Sequence, residues 1–60
     1  MQFARYTEVR FNPAIPNVDT NLVGGVIKAD DWRTQVEWWD ESGNVEYTSW
    51  EKTADLIENS

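Results

Sequence analysis

Eleven carboxylates, four tryptophans, no histidine and no cysteine set the chemistry open to this 60-residue chain. Without His or Cys the usual nucleophile–base pairs cannot be built. Disulfides and zinc sites of the Cys/His kind are excluded on the same ground. Carboxylate pairs remain. Asp30-Asp31 and Asp40-Glu41 both fall in turn-like segments, where neighbouring acids are solvated, and neither fits the spacing of an EF-hand loop. Glu37 and Glu46 could face each other on adjacent strands. Opposed like charges are destabilising, so a staggered register, or Arg33 or Lys28 close by, is expected. The expectation is a noncatalytic chain without cofactor or metal.

The indoles offer a second chemistry. Trp38, Trp39 and Trp50 flank the turn Asp40-Glu41-Ser42-Gly43-Asn44, and Trp32 sits at the turn before. A fold this small hides one or two indoles; the others lie near the surface. Strand alternation puts Thr34, Val36 and Trp38 on one face and Gln35, Glu37 and Trp39 on the other. Across the hairpin, alternation groups Val45 with Tyr47, and Glu46 with Thr48 and Trp50. Trp38 is thus the expected core indole. Trp39 and Trp50 share the outer face with Trp32 nearby, and Asp30, Asp31 and Glu37 make the patch acidic as well as aromatic. Such a patch suits Lys, Arg or methylated ammonium groups, which are drawn to the ring quadrupole. It also suits protein partners, since Trp and Tyr dominate binding hot spots. Three roles stay open for the outer indoles: covering an open end of the fold, packing in a homodimer, or recognising a different partner.

Positioning these side chains requires strands. Phe3 to Phe11 alternates, with Thr7, Val9 and Phe11 opposed to Tyr6, Glu8 and Arg10, and reads as the first strand. The segment from Asn12 to Asn21, with two prolines and three asparagines, is a long loop. Leu22 to Lys28 is the second strand, where Gly24-Gly25 suggests a bulge or a sharp bend. Thr34 to Trp39 is the third strand and Val45 to Ser49 the fourth, joined by a hairpin loop in which Gly43 can take positive φ. The tail has two readings. Thr48 and Glu51 have capping-box spacing and Trp50, Ala54 and Ile57 share a helical face, which allows a helix from Ser49 to Glu58. The preferred alternative is one helical turn at Thr53–Asp55 and a short last strand at Leu56–Glu58, because so short a helix is marginal without packing. All of this fits one domain over residues 1–60.

The order and spacing of Val9-Arg10-Phe11, Gly25-Val26-Ile27, Val36-Glu37-Trp38, Val45-Glu46-Tyr47 and Ala54-Asp55-Leu56-Ile57-Glu58 resemble something known. They resemble the Src-homology-three-like small barrels, the group that includes Tudor and related five-stranded folds, and the likeness spans roughly residues 6–58. The resemblance implies an all-β, five-stranded small antiparallel barrel with a short helical turn near the C-terminus, in a short bacterial or phage accessory protein. In Src-homology-three domains the loop after the first strand shapes a groove for Pro-rich peptides; here that loop holds no aromatic residue. The plasmid-borne type II dihydrofolate reductases share the barrel and look similar at the last hairpin. In Gly43-Asn44-Val45-Glu46-Tyr47-Thr48, however, only the valine of their motif is kept. Glu46 stands where that family has a pore-lining Gln and Thr48 where it has Tyr, and an acidic pore repels an anionic cofactor.

Five basic side chains against the eleven acids leave a net charge of −6. That disfavours nonspecific attraction to nucleic acid or to an anionic membrane. No apolar run approaches ~18 residues and no basic-then-apolar leader is present, so a cytoplasmic protein is expected. The expected function is a protein-interaction module whose acidic-aromatic surface, built from Trp32, Trp39, Trp50, Asp30, Asp31 and Glu37, binds a basic protein or a second copy of the chain. The runner-up is an acidic nucleic-acid mimic that blocks a host DNA- or RNA-binding protein, which needs its carboxylates arranged in rows on one face.

Overall fold

Alternation along the third strand decides where the core lies. Thr34, Val36 and Trp38 are fully buried, while Gln35, Glu37 and Trp39 between them are half-buried. A strand whose side chains alternate in this way packs one face on the core and leaves the other toward solvent. The computed structural model describes residues 2–60. Its elements run β1 (Glu8–Phe11), β2 (Val23–Ala29), β3 (Arg33–Trp39), β4 (Val45–Lys52), a 3-10 turn (Thr53–Asp55) and β5 (Leu56–Glu58). All strands are antiparallel and form one sheet in the order β4-β3-β2-β1-β5.

β5 lies beside β1, so the last strand returns to the first. β4 and β5 have one neighbour each, and the sheet is open along both, where the sequence predicts closure into a barrel. The chain turns from β4 into β5 through the 3-10 turn rather than by a hairpin, and β5 has only three residues with which to bond anything.

The core consists of Phe3, Val9, Val26, Val36, Trp38 and Leu56, with Phe11, Leu22 and Ala29 packed against it. Trp38 is its largest member. Its ring stacks on Phe11 at 4.6 Å between centroids and 17° between planes, and its indole N–H donates to Ser49 Oγ at 2.9 Å. Trp38 on β3 reaches Phe11 on β1 across β2. Gly24, opposite Trp38 and also opposite Val9, makes this possible. A Cβ at Gly24 would lie 2.9 Å from Trp38 Cε3 and 2.5 Å from the Glu37 carbonyl. Neither Gly24 nor Gly25 has positive φ. The pair is required for close approach, and the expected bulge falls one step later, between Val26 and Lys28.

Two boundaries and one register differ from the sequence expectation by more than a single residue at a strand end. β1 starts only at Glu8, because Tyr6 turns the chain at φ 72 instead of extending it. β4 continues through Trp50 to Lys52, so the capping-box spacing of Thr48 and Glu51 nucleates no helix. The tail takes the turn-plus-strand form at the predicted residues. Finally, a bulge at Glu46 sets Val45 opposite Trp39 and Tyr47 opposite Trp38. Directly opposed residues share a face, so Val45 and Tyr47 lie on opposite faces rather than the same one.

Candidate aromatic recognition face

The outer face of β3 and β4 carries, from one end to the other, Trp39 opposite Val45, Glu37 opposite Thr48, Gln35 opposite Trp50, and Arg33 opposite Lys52. Trp39 and Trp50 are therefore on one face, but they do not form one cluster. Trp50 is level with Gln35, four residues from Trp39 along β3, a separation of roughly 13 Å at ~3.4 Å per residue. The stagger also keeps Glu37 and Glu46 apart, since Glu37 meets Thr48.

The Trp32–Trp50 end already holds a cation. The Arg33 guanidinium lies 4.2 Å from the Trp50 ring centre and 5.2 Å from that of Trp32. Arg33 follows Trp32 in the chain and is next but one to Gln35, the residue level with Trp50, so the β3–β4 register delivers it to both rings. Asp30 helps hold it: Asp30 Oδ1 accepts the Arg33 backbone N–H at 3.1 Å and that of Trp32 at 3.4 Å, while Oδ2 stands 3.8 Å from Arg33 Nε. That last contact is ionic and too long for a hydrogen bond. Asp31 accepts from Gln2 Nε2 at 3.2 Å. Four of the six residues singled out by sequence are thus already engaged by neighbours at this end, although Arg33 Nε itself is buried with no hydrogen-bond partner.

Trp39 and Glu37 belong to a different place. The Trp39 ring lies over Gly25, where a Cβ would sit 2.8 Å from its Cζ2. Gly24 and Gly25 therefore each seat one indole, on opposite faces of β2. Glu8, Gly25 and Glu37 form one row across β1, β2 and β3, which flanks the glycine with two carboxylates. Beside this row a groove of about 470 Å³ opens, walled by Tyr6 and Trp39 and lined by Glu8, Glu37 and Ile27. Arg5 lies at its rim, 4.9 Å from the Tyr6 ring centre. Among the described residues no cation lies over Trp39.

A second groove, of about 490 Å³, meets Trp39 from the hairpin side and is lined by Asp19, Asp40, Glu41 and Glu46 with Leu22 and Val23. Asp40 is committed to the turn, where its Oδ1 accepts the backbone N–H groups of Ser42 and Asn44 at 2.9 and 3.0 Å. Next to this acidic end, burial, Glu51, Glu46 and Asp19 hold the Tyr47 phenol above its ordinary value of 10.0.

Tyr6, Glu8 and Arg33 are the contributors that alternation alone did not find. Glu8 and Tyr6 enter through the pairing of β1 with β2, and Arg33 through the register of β3 with β4; neither can be read within a single strand. Among the described residues no group of three or more acidic, His or Cys side chains is placed to hold a metal ion, and no helix is long and apolar enough to cross a membrane. The chain matches no protein-family model, no curated protein and no solved structure.

Proposed function

We propose that this chain is a noncatalytic protein-interaction module that takes a basic side chain of a protein partner into the groove beside Trp39. One observation carries the reading. Of the four indoles, Trp38 is buried in the core, and Trp32 and Trp50, though exposed, each already have the Arg33 guanidinium over the ring, whereas half-buried Trp39 stands between carboxylates with no cation over it among the described residues. A Lys or Arg side chain entering there meets the indole together with Glu37 and Glu8. Such a contact is worth about 0.5–2 kcal/mol from the ring, and the net charge of −6 steers a basic partner toward it. The acidic-aromatic surface expected from sequence is thereby narrowed to Trp39 and Glu37, joined by Tyr6 and Glu8.

The same reading places the domain with the Src-homology-three-like small folds. Its support is the adjacency of the first and last strands, the short turn before β5, and the bulges that bend β2 and β4. The nucleic-acid mimic is less well supported, because Gln35, Thr48 and Trp50 interrupt the carboxylates of the outer face.

Titration with a lysine-rich peptide, followed by NMR of the indole N–H signals, tests the proposal. The Trp39 signal should move first, and Glu37→Lys should weaken binding by about tenfold, the effect of replacing a favourable charge contact with a repulsive one. Shifts centred on Trp32 and Trp50, or full affinity in the Glu37→Lys variant, would sink it.

A further inference from the structure

β4 is an uncovered edge. It pairs with β3 alone, and it carries three of the five large apolar side chains that the fold leaves exposed: Val45, Tyr47 and Trp50. Proteins guard such edges with proline, inward charge, bulges or a covering segment. Here there is no proline, the bulge is confined to the Glu46 end, and the one inward carboxylate, Glu51 opposite buried Thr34, accepts from Ser49 Oγ of its own strand at 2.6 Å. From Tyr47 to Lys52 the register with β3 is uninterrupted. That leaves a regular run of about 20 Å whose outward N–H and C=O groups have no strand to bond.

The strand's own sequence specifies what completes it. Outward-pointing backbone groups alternate along a strand, so two copies related by a twofold axis must set residue i against residue j with an even sum. Only a few centres satisfy this within the exposed run. Centred on Ser49, Thr48 faces Trp50 of the second copy and Tyr47 faces Glu51, while Lys52, at the end of the regular run, comes beside the bulge residue Glu46 of the second copy. Each pairing occurs twice. Centred on Thr48, Glu46 meets Trp50 and Lys52 meets Asn44. Centred on Trp50, Lys52 meets Thr48 and Glu46 meets Ala54. Centred on Glu51, two carboxylates collide. Of the centres between Tyr47 and Glu51, only Ser49 sets an acid against a base, and it also gives the Tyr47 phenol a carboxylate to donate to.

We infer that two copies of this chain pair antiparallel through β4, centred on Ser49, to make one continuous ten-stranded sheet. The contact lies on the edge strand next to Trp39, but its centre at Ser49 and its Lys52 end line neither groove, so it stands or falls separately from the binding proposed there. The twofold axis is normal to the sheet, so both grooves face the same way.

Charge exchange tests the register. Sedimentation velocity from micromolar to millimolar concentration should show a monomer–dimer equilibrium for the unaltered chain. Lys52→Glu and Glu46→Lys each replace two attractive contacts by two repulsive ones and should weaken self-association by about tenfold or more. A mixture of the two single variants should associate, because each then supplies the charge the other lacks. The doubly exchanged chain, carrying both substitutions, should dimerise as the unaltered chain does. Circular dichroism checks that every variant is folded. A chain that stays monomeric throughout overturns the proposal. So does association that ignores the exchanges, or a mixture no better than its components. Lys52→Glu touches neither groove, so loss of the dimer with lysine-peptide binding retained separates failure here from failure of the recognition reading.

Discussion

Adjacent glycines of one strand, neither with positive φ, do different work, and substitution should separate them. A methyl group at Gly24 meets backbone, the Glu37 carbonyl at 2.5 Å, together with a core valine at 2.6 Å. Backbone within a paired strand cannot step aside, so Gly24→Ala should cost about 3 kcal/mol, at the upper end of what overpacking does. At Gly25 the methyl group meets only the Trp39 ring. That ring can swing outward, so Gly25→Ala should cost about 1 kcal/mol while exposing the indole and weakening the lysine-rich peptide. Denaturant unfolding followed by tryptophan fluorescence measures both. Equal losses of stability, or an unmoved Trp39 signal in the Gly25 variant, would contradict the division of labour between the two faces of β2. The indoles show the same split at residue scale: one cation, Arg33, serves Trp32 and Trp50, and among the described residues none lies over Trp39.

At the scale of elements, the 3-10 turn is held by a buried hydroxyl pair. Thr34 Oγ1 and Thr53 Oγ1 lie 2.9 Å apart, Thr53 Oγ1 reaches the Asp30 carbonyl at 3.4 Å, and the Thr53 N–H donates to the Trp32 carbonyl at 2.9 Å. Thr53→Val keeps the shape and strands the Thr34 hydroxyl, so it should destabilise the chain by about 1–3 kcal/mol. Thr34→Val with Thr53→Val should recover part of that loss, because no orphan hydroxyl remains; thermal unfolding of the single and double variants reads the difference. This clamp shows where sequence reading stops. β3 was legible throughout because strict alternation over Thr34–Trp39 leaves only one face for the core. The turn at Thr53–Asp55 was legible because a rival helix would be too short to stand alone. The bulge at Glu46 carried no signal, since any residue type tolerates it, and it moved Val45 to the outer face. The site was half legible for the same reason. Alternation placed Trp39 outside, but the Arg33 contacts and the Glu8–Gly25–Glu37 row depend on inter-strand register, which no single strand encodes.

At the scale of the molecule, charge should act with opposite sign on folding and on partner binding. Eleven acids and five bases share a body of 30 × 24 × 20 Å. In about 0.01 M salt the screening length is about 30 Å, so each carboxylate feels all the others; in about 1 M it falls to about 3 Å and only contacts survive. Net self-repulsion opposes the compact state, and added sodium chloride should therefore raise the unfolding temperature. A basic peptide is drawn in by the same field, so its affinity should fall over the same range. Self-association should follow folding rather than peptide binding: two like-charged copies repel at long range, and salt relieves this more than it weakens the Glu46–Lys52 contacts between touching strands. Three titrations on one salt series, of unfolding temperature, peptide affinity and sedimentation, thus have predicted signs of up, down and up. Peptide affinity that rises with salt would mean that apolar contact and not charge draws the partner to Trp39. A dimer that dissolves with salt would mean that the acid–base contacts, rather than the shared backbone ladder, dominate the pairing of β4.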